Sequence, residues 1–254
     1  MSAVPDFALD PNAVLQDTDA AWRHGAPPGY SNTRKVFEES KQTNHESGSL
    51  EAIVIARSGH DIYHYCDGYW VRSRISLNYF STKNIVKNWE IEASFKPSVS
   101  DWRTVDPEKY SFSMNGGEPR PAEHMLKVGT YNAILTESNF YSPANNDFES
   151  SHKTFKRMMP TFAWEVLEVY SGPPKVAFKW RHWGVMKNDY VGYNEKKQKV
   201  RVKAHGGLID IQGVTVATVN DGLKVEKLET WFDPLAMFKQ VSKDSDVIVE
   251  EDSV

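Results

Sequence analysis

The chain has 254 residues, of which 40% are hydrophobic, and it contains 8 tryptophans, 11 tyrosines and 12 phenylalanines. This length suits one domain with additions, and the aromatic content suggests a thick core or a wide pocket. The formal net charge of -4 argues against a general nucleic-acid binder, and the single cysteine, Cys66, excludes an internal disulfide.

The first 30 residues are predicted to form an arm and a strap. Residues 1–21 contain acidic residues and prolines without an apolar run of signal-peptide length, so a poorly ordered arm is expected. Residues 22–30 must be extended around their two prolines, and we interpret them as a docked strap in preference to a catalytic role for Arg23 or His24. No window approaches a transmembrane span, so the default location is the cytoplasm and no membrane partner is expected.

Residues 32–95 carry three helical patterns. A short amphipathic helix is predicted at 32–40, and a second helix begins behind Ser49 as its N-cap. Residues 84–95 place Ile85 and Trp89 at helical spacing. Without the segment between them, the second and third patterns would be a single long amphipathic helix.

Residues 55–83 interrupt that long helix and have neither helical nor strand periodicity over their length. One interpretation is a surface insertion whose aromatic residues form a lid or an oligomer contact. The other is a retained intron in the coding sequence, since Val54 can begin with a GT codon and Lys83 can end with AG. Both interpretations stay open at the level of sequence.

The middle of the chain is predicted to hold a strand and two further helices. Asp106 and Pro107 start a turn before a strand at 109–114. Helices follow at 121–137 and 148–159, where apolar residues recur at helical spacing. In the first of these helices Tyr131 and Asn132 are expected at the mouth of a cavity.

Two long strands follow, separated by a turn at 171–174 that contains glycine and two prolines. Strand 161–170 alternates, with Phe162, Trp164, Val166 and Glu168 on one face. In strand 175–186 one face is shared by Val176, Phe178, Trp180 and His182. Arg181 and Trp183 lie on its other face, which we expect to pack under helices.

The C-terminal part is predicted to complete an antiparallel meander of about four strands. Residues 207–219 and 223–232 alternate and flank Asn220-Asp221-Gly222, a strong hairpin signal. Asp233 can cap a following helix that begins at Pro234. The basic run within 187–205 is interpreted as a solvated hairpin tip, and the acidic residues 242–254 are predicted to be disordered.

These segments carry two resemblances. The order of the strands TFAWEVLEV and VAFKWRHWG, the DG hairpin and EKLETWFDPLAMFKQV resembles the SnoaL-like polyketide cyclase branch of the NTF2-like superfamily. A closer resemblance, to the plant and fungal pathogen-related protein family, rests on five motifs: WRHGAPP at 22–28, GSLE at 48–51, YSFSMNGG at 110–117, GTYNAIL at 129–135 and KWRHWG at 179–184. It implies an α+β cone over 22–241, in which a curved antiparallel sheet is packed by about three helices around a pocket, with 55–83 as an atypical insertion.

The sequence holds few signals of a particular chemistry. It has no metal-ligand spacing, no GxSxG elbow, no phosphate loop and no dinucleotide fingerprint. We therefore predict neither a metal nor a cofactor. Any catalysis would rely on a shaped pocket and a few acid-base groups.

Two residues are candidate catalytic groups. The resemblance implies that Asp233 acts as an acid-base group within the cone, although an aspartate before proline is also an ordinary helix cap. His182 shares a face with Phe178 and Trp180 and could transfer protons, or could be a satisfied core histidine. The predicted substrate-binding residues are Trp164, Trp180, Tyr131, Asn132, Phe178, Trp231 and His205.

The resemblance implies a cofactor-independent enzyme of fungal natural-product biosynthesis, such as a cyclase, isomerase or dehydratase acting on a small apolar metabolite. It extends to a hetero-Diels–Alder step between a tropolone quinone methide and a sesquiterpene polyene. The alternative is a non-catalytic stress protein that binds an apolar ligand. A carboxylate and an imidazole converging in the pocket would favour catalysis, and purely apolar walls would favour binding. A homodimer through the open sheet face is compatible with either function.

Overall fold

The computed structural model describes residues 4–43, 62–66, 69–73 and 79–250. Within them the helices are α1 Asp6–Leu9, α2 Ser31–Ser40, α3 Tyr79–Phe95, α4 Ala122–Val128, α5 Thr130–Ile134, α6 Phe148–Met158 and α7 Pro234–Val241, with 3₁₀ turns at Ala13–Gln16, Val99–Asp101 and Pro143–Asn145. The strands are β1 Ile62–Cys66, β2 Tyr69–Ser73, β3 Ser111–Met114, β4 Arg120–Pro121, β5 Phe162–Val169, β6 Lys175–Val185, β7 Tyr190–Tyr193, β8 Lys199–Val202, β9 Leu208–Val219, β10 Val225–Phe232 and β11 Val247–Glu250.

A curved six-stranded sheet in the order β4-β3-β10-β9-β6-β5 organises the domain. Strands β5, β6, β9 and β10 pair antiparallel in chain order, and β3 joins β10 in parallel. This arrangement confirms the predicted meander and the predicted α+β class. The helices cover the sheet because its long strands carry bulky residues on both faces.

The alternation in β5 breaks at a bulge. Its pairing with β6 shifts between Val166 and Glu168, so that Val169 stands opposite Phe178. Val169 therefore packs against the same core as Val166, and Glu168 is exposed. The predicted face holds from Phe162 to Val166 and is wrong beyond it, because one extra residue turns the following side chains over.

Helix α2 packs on the outer face of the sheet. The Phe37 and Trp183 rings have centroids 6.1 Å apart, and the Trp183 indole donates to the Ser40 hydroxyl at 2.9 Å. Arg181 forms an ion pair with Asp210 at 2.8 Å and donates to the Ser40 carbonyl at 3.1 Å. The prediction that Arg181 and Trp183 pack under a helix is confirmed.

The helix predicted at 121–137 is two helices, α4 and α5, divided at Gly129. This glycine has a φ of 91°, which no residue in a right-handed helix adopts. An added Cβ there would also lie 3.2 Å from the Phe148 ring. The chain turns at this glycine, and Tyr131 and Asn132 consequently start a new helix.

Parts of the 55–83 segment are described by the structure. Strands β1 and β2 pair as an antiparallel hairpin within it, and α3 begins at Tyr79, before the predicted start at 84. The predicted N-cap Ser49 and the boundary at Val54 lie outside the described residues. The retained intron stays a hypothesis, and sequencing the transcript across the codons of Val54 and Asn84 tests it: the absence of any message that lacks this segment would contradict it.

Residues 4–21 of the N-terminal arm, which was predicted to be poorly ordered, are docked on the domain. Phe7 and Val14 are buried, and the arm is tied to the domain through Asp17, which receives ion pairs from Lys96 at 2.6 Å and from Arg103 at 2.7 Å. The segment is ordered because it buries apolar side chains and pairs with a buried charge. Its composition alone does not show these contacts.

The C-terminal region also differs from its prediction. Residues Val247–Glu250 form β11 and pair with β8, and β7 pairs with the other edge of β8. Glu250 accepts ion pairs from Lys199 at 3.0 Å and from Arg201 at 3.4 Å. The basic run predicted as a solvated hairpin tip therefore lies partly in a three-stranded sheet with the acidic segment, because opposite charges on adjacent strands attract.

Candidate active site

A cavity of about 360 Å³ lies between the inner face of the six-stranded sheet and helix α3. Its lining is mostly apolar and includes residues from strands β3, β5, β6, β9 and β10. The aromatic members of the lining are Tyr30, Trp89, Phe95, Phe112, Tyr131, Phe162, Trp164, Phe178, Trp180 and Phe232. Such a concave apolar space with few polar groups is typical of a small-molecule site.

The floor of the cavity is formed by β6 and its neighbours. Phe178, Trp180 and His182 alternate along β6 and all line the cavity, as the sequence predicted. The Trp164 indole stacks on Trp180 with ring centroids 6.1 Å apart. Phe178 instead meets Trp164 edge-on, at an interplanar angle of 79°, so the stacked ring faces of the floor belong to the Trp164–Trp180 pair.

Two threonines connect the floor through hydrogen bonds. The Trp180 indole donates to the Thr215 hydroxyl at 3.0 Å, and the hydroxyls of Thr215 and Thr230 are 2.9 Å apart. Both threonines line the cavity. The indole nitrogen is satisfied, so Trp180 is fixed in orientation.

His182 lies on the cavity wall, with its ring stacked on Phe162 at a centroid distance of 3.4 Å. Burial lowers the pKa of His182 from 6.5 to about 3. The imidazole is therefore neutral at physiological pH and can exchange hydrogen bonds with a ligand. As a proton donor it would be inefficient near neutrality, because its conjugate acid is scarcely populated.

Asp233 does not line the cavity. It is exposed and accepts a hydrogen bond from the Leu235 N–H at 2.9 Å, as the N-cap of α7 with Pro234 at the first helical position. This geometry is the alternative that the sequence left open, and it corrects the placement of Asp233 within the cone. As an exposed helix cap, Asp233 is not placed to transfer protons to a molecule in the cavity.

Asn132 and His205 also lie outside the cavity lining. The Asn132 amide donates to the Val128 and Asn146 carbonyls at 2.8 and 2.7 Å. The His205 Nδ1 accepts from the Gly207 N–H at 2.9 Å, and its Nε2 lies 3.0 Å from the Gln240 carbonyl. Both side chains hold loops in place, which corrects their predicted position at the ligand.

Trp231 faces away from the cavity. It is 42% exposed and pairs across the strands with Val214, which is 37% exposed. Of the predicted substrate-binding residues, the structure therefore brings together Trp164, Trp180, Tyr131 and Phe178 with His182, and leaves Trp231 on the outer face. The side chain of its neighbour Phe232 points into the cavity, since successive residues of a strand point to opposite faces.

Glu90 also lines the cavity, although the sequence did not predict it as a site residue. This residue lies on α3 and lines the cavity beside Val86 and Trp89, and burial raises its pKa from 4.5 to about 7. Among the described residues its carboxyl has no hydrogen-bond or ion-pair partner. The signal in the sequence was an acidic residue four positions after Val86, on the apolar stripe of the helix.

The two lysines that act electrostatically on Glu90, Lys87 and Lys156, place their ammonium groups over aromatic rings. The Lys87 ammonium is 3.9 Å from the Phe37 ring centroid, and the Lys156 ammonium is 4.2 Å from that of Phe95. Burial lowers the pKa of both lysines, for Lys87 to about 8. Cation–π contacts hold these ammonium groups without bringing either into contact with Glu90.

Helix α6 contributes a second imidazole. His152 lines the cavity, its Nε2 lies 3.2 Å from the Thr130 hydroxyl, and its ring stacks on Phe148 at 4.6 Å. Burial, aided by Lys156 and Arg23, lowers the pKa of His152 to about 4. This imidazole too is neutral at physiological pH.

The described residues contain no group of three or more His, Cys, Asp or Glu side chains that could hold a metal ion. Among the same residues, no helix is both long and apolar enough to cross a membrane.

The fold is an α+β cone around a mostly apolar cavity that a few titratable groups line. No family model matches this chain. The pathogen-related protein of Hordeum vulgare is 34% identical over 220 residues, which cover 84% of this chain and 78% of that protein. The chain therefore belongs to the pathogen-related protein family, as its motifs predicted.

Solved structures similar to this chain include two proposed polyketide cyclases. The SnoaL-like protein of Jannaschia sp. CCS1 is 17% identical, with 57% of this chain and 78% of that chain covered and a TM-score of 0.34. IdmH of Streptomyces antibioticus is 13% identical, with 62% and 96% covered and a TM-score of 0.38.

Proposed function

We propose that this chain is a cofactor-independent enzyme of the cyclase type that acts on a small apolar molecule in the central cavity. The observation that carries the proposal is that one carboxyl, Glu90, and two imidazoles, His152 and His182, line the same mostly apolar space. Apolar walls alone would favour simple binding, whereas acid-base groups that face the ligand favour turnover.

The cavity has the physical properties that such chemistry needs. Its volume is at the lower end of the range for small-molecule sites, about 300–1,000 Å³. Trp164 and Trp180, which stack on each other, offer ring faces against which a planar ring can stack. Apolar surroundings exclude water, which strengthens hydrogen bonds to the reacting atoms and protects reactive intermediates.

The finer proposal is a hetero-Diels–Alder step between a tropolone quinone methide and a sesquiterpene polyene. The quinone methide forms by loss of water: a C–O bond breaks, the departing hydroxide takes a proton from an acid in the cavity, and the ring hydroxyl gives its proton to the conjugate base of that acid. The cycloaddition then forms one C–C and one C–O bond without further proton transfer. His182 can hydrogen-bond the reacting oxygen, and protonated Glu90 can supply the proton.

A second candidate function is binding without turnover. It is favoured by the neutral state of both imidazoles, because Glu90 is then the main group in the cavity lining that can gain or lose a proton near neutral pH. The name of the Hordeum relative fits this function but specifies no reaction. The same apolar walls would bind the ligand in either case.

Two further proposals concern the whole protein. A homodimer through the outer face of the sheet is supported by the exposed pair Trp231 and Val214 on that face. Sedimentation equilibrium of the wild type and of Trp231→Glu tests it, and a wild type that sediments as a monomer would contradict it. A cytoplasmic location also stays a proposal, which fluorescence microscopy of the tagged protein tests.

The enzyme proposal is tested by the metabolite profile of the source organism after deletion of the gene. The deletion strain is then complemented with the wild type, Glu90→Gln, His182→Ala or the exposed control Glu123→Gln. We expect a product to vanish on deletion and a precursor to accumulate, and the purified wild type to convert that precursor. An unchanged profile while the wild-type gene is expressed would favour binding without turnover.

A further inference from the structure

Glu90, which is half-buried, differs from the fully buried carboxyl of Glu92 on the same helix. Two residues further on, Glu92 is fully buried and accepts hydrogen bonds from Lys96 at 3.1 Å, from the Arg103 N–H at 2.7 Å and from the Thr104 hydroxyl at 2.6 Å. Glu90 has no such partner among the described residues. Polar groups in apolar surroundings are nearly always hydrogen-bonded, so a half-buried carboxyl that faces an apolar cavity without a partner indicates a role with a ligand.

The surroundings keep Glu90 open. Lys87 precedes it by three residues on the same helix, and Lys156 approaches from α6, yet each ammonium lies over an aromatic ring. An ion pair with either lysine would hold the carboxylate charged and would occupy its oxygens. The contacts with Phe37 and Phe95 instead leave both oxygens available to a molecule in the cavity.

Two phenols face the cavity near this carboxyl. Tyr30, at the end of the strap, and Tyr131, on α5, both line the cavity, and neither hydroxyl has a hydrogen-bond partner among the described residues. Burial and the charge of Glu90 raise the pKa of both tyrosines, so both hydroxyls keep their protons. Two protonated donors beside an unpaired base resemble the arrangement that stabilises a developing oxyanion.

We propose that Glu90 is the catalytic proton-transfer group of this cavity, and that its substrate is a ring-bearing ketone or its enol whose oxygen is bound by Tyr30 and Tyr131. In the reaction a C–H bond next to the carbonyl breaks, its proton passes to the Glu90 carboxylate, and the electron pair moves onto the carbonyl oxygen. The same proton returns to another carbon of the conjugated system, so no oxidant or cofactor is needed. This inference rests on the proposed function and names its substrate class and base.

The lining supports this assignment over one to a histidine. His182 hydrogen-bonds the backbone of Phe162, and His152 has the Thr130 hydroxyl as a neighbour, so each imidazole already has a partner. Glu90 combines an open carboxyl with apolar neighbours such as Val86 and Trp89. A base in such surroundings is desolvated and therefore more reactive than an exposed carboxylate.

The test uses 5-nitro-1,2-benzisoxazole, a flat apolar probe that a base opens by removing its ring C–H proton as the N–O bond breaks, with release of a coloured nitrophenolate. We expect the wild type to accelerate this reaction with a rate that rises with pH around 7, the pKa of Glu90. Glu90→Gln should lose about 100-fold or more of the rate, and Glu90→Asp should retain part of it. Tyr30→Phe and Tyr131→Phe should each lower the rate by up to about 100-fold, and the exposed control Glu123→Gln should leave it unchanged.

Binding of the probe is measured separately, by quenching of tryptophan fluorescence. If the wild type binds the probe but opens it no faster than Glu90→Gln does, the assignment of Glu90 is overturned while the binding cavity stands. If the probe does not bind, the proposed apolar ligand site is contradicted. The role of Glu90 is then tested by carbon-13 NMR titration of the glutamate carboxyls, with Glu90→Gln to assign the resonance. A titration midpoint near pH 7 supports the proposal, and a midpoint near the ordinary 4.5 overturns it.

Discussion

The Trp180 indole lies directly over the backbone of Gly213, its cross-strand partner on β9. A Cβ at position 213 would approach the atoms of this indole more closely than side-chain atoms ever do, with Trp180 Cε2 at 2.7 Å. The position of Trp180 in the floor of the cavity therefore depends on the absence of one methyl group on the neighbouring strand.

Gly213→Ala is expected to displace the indole, break its bond to Thr215 and cost about 1–3 kcal/mol of unfolding free energy. Binding of 5-nitro-1,2-benzisoxazole, followed by tryptophan quenching, should weaken by about tenfold, which corresponds to about 1.4 kcal/mol. Gly172→Ala, in a turn where an added Cβ meets open space, is the matched control. Unchanged binding and stability in Gly213→Ala would show that the floor can adapt.

Glu90→Gln is expected to stabilise the protein at alkaline pH. The folded pKa of about 7 exceeds the ordinary 4.5, so the unfolded chain releases the proton first and stability falls as pH rises from 4.5 to 7. The free energy of unfolding of the variant does not fall in this way. It should exceed that of the wild type by on the order of 1–3 kcal/mol at about pH 8.5, and by little at about pH 4.5. Chemical unfolding at both pH values measures the difference, and an equal effect at both would contradict an unpaired, buried carboxyl.

His182→Gln is expected to reduce sensitivity to acid. The pKa of His182 falls from 6.5 to about 3 in the folded protein, so between these values only the unfolded chain takes up the proton and the folded state loses stability as pH falls. The change in unfolding free energy between about pH 7 and pH 4.5 should be smaller in the variant by about 1–3 kcal/mol. The exposed His24→Gln is the control, and parallel pH curves for wild type and His182→Gln would exclude a buried neutral imidazole.

Glu92→Ala is expected to be among the most destabilising changes in the chain. The glutamate and Lys96 are both fully buried and 3.1 Å apart, and Glu92 also bonds the backbone of Arg103 and Thr104. Removal of one partner leaves the other charge buried, which costs about 3–5 kcal/mol. Thermal unfolding against the exposed control Glu118→Ala measures this, and the docked N-terminal arm should become sensitive to protease because Lys96 also binds Asp17.

Asp233→Ala is expected to affect stability alone. Loss of the N-cap of α7 should cost about 1 kcal/mol. Probe binding and the ring-opening rate should match those of the wild type, since Asp233 lies outside the cavity lining. A rate reduced as far as that of Glu90→Gln would instead restore Asp233 as an acid-base group.

Local pattern was sufficient for much of the sheet. The alternation of Phe178, Trp180 and His182 predicted their common face, and the Asn220-Asp221-Gly222 turn predicted the β9–β10 hairpin, because side-chain direction in a strand and turn geometry are set by neighbouring residues. The motifs also predicted the family. The bulge after Val166 was not predicted, since the composition of a strand does not show where one extra residue disrupts the pairing.

The sequence by itself determined the fold class, most of the strand faces and five of the aromatic or imidazole positions in the cavity. Only the tertiary structure decided which titratable groups meet there. Asp233 and Glu90 are both acidic residues beside apolar neighbours in the sequence, yet Asp233 caps a helix in solvent and Glu90, on α3, faces the cavity. The pKa of a carboxyl depends on its distance from water and from charges on other elements, and those distances exist only once the chain is folded.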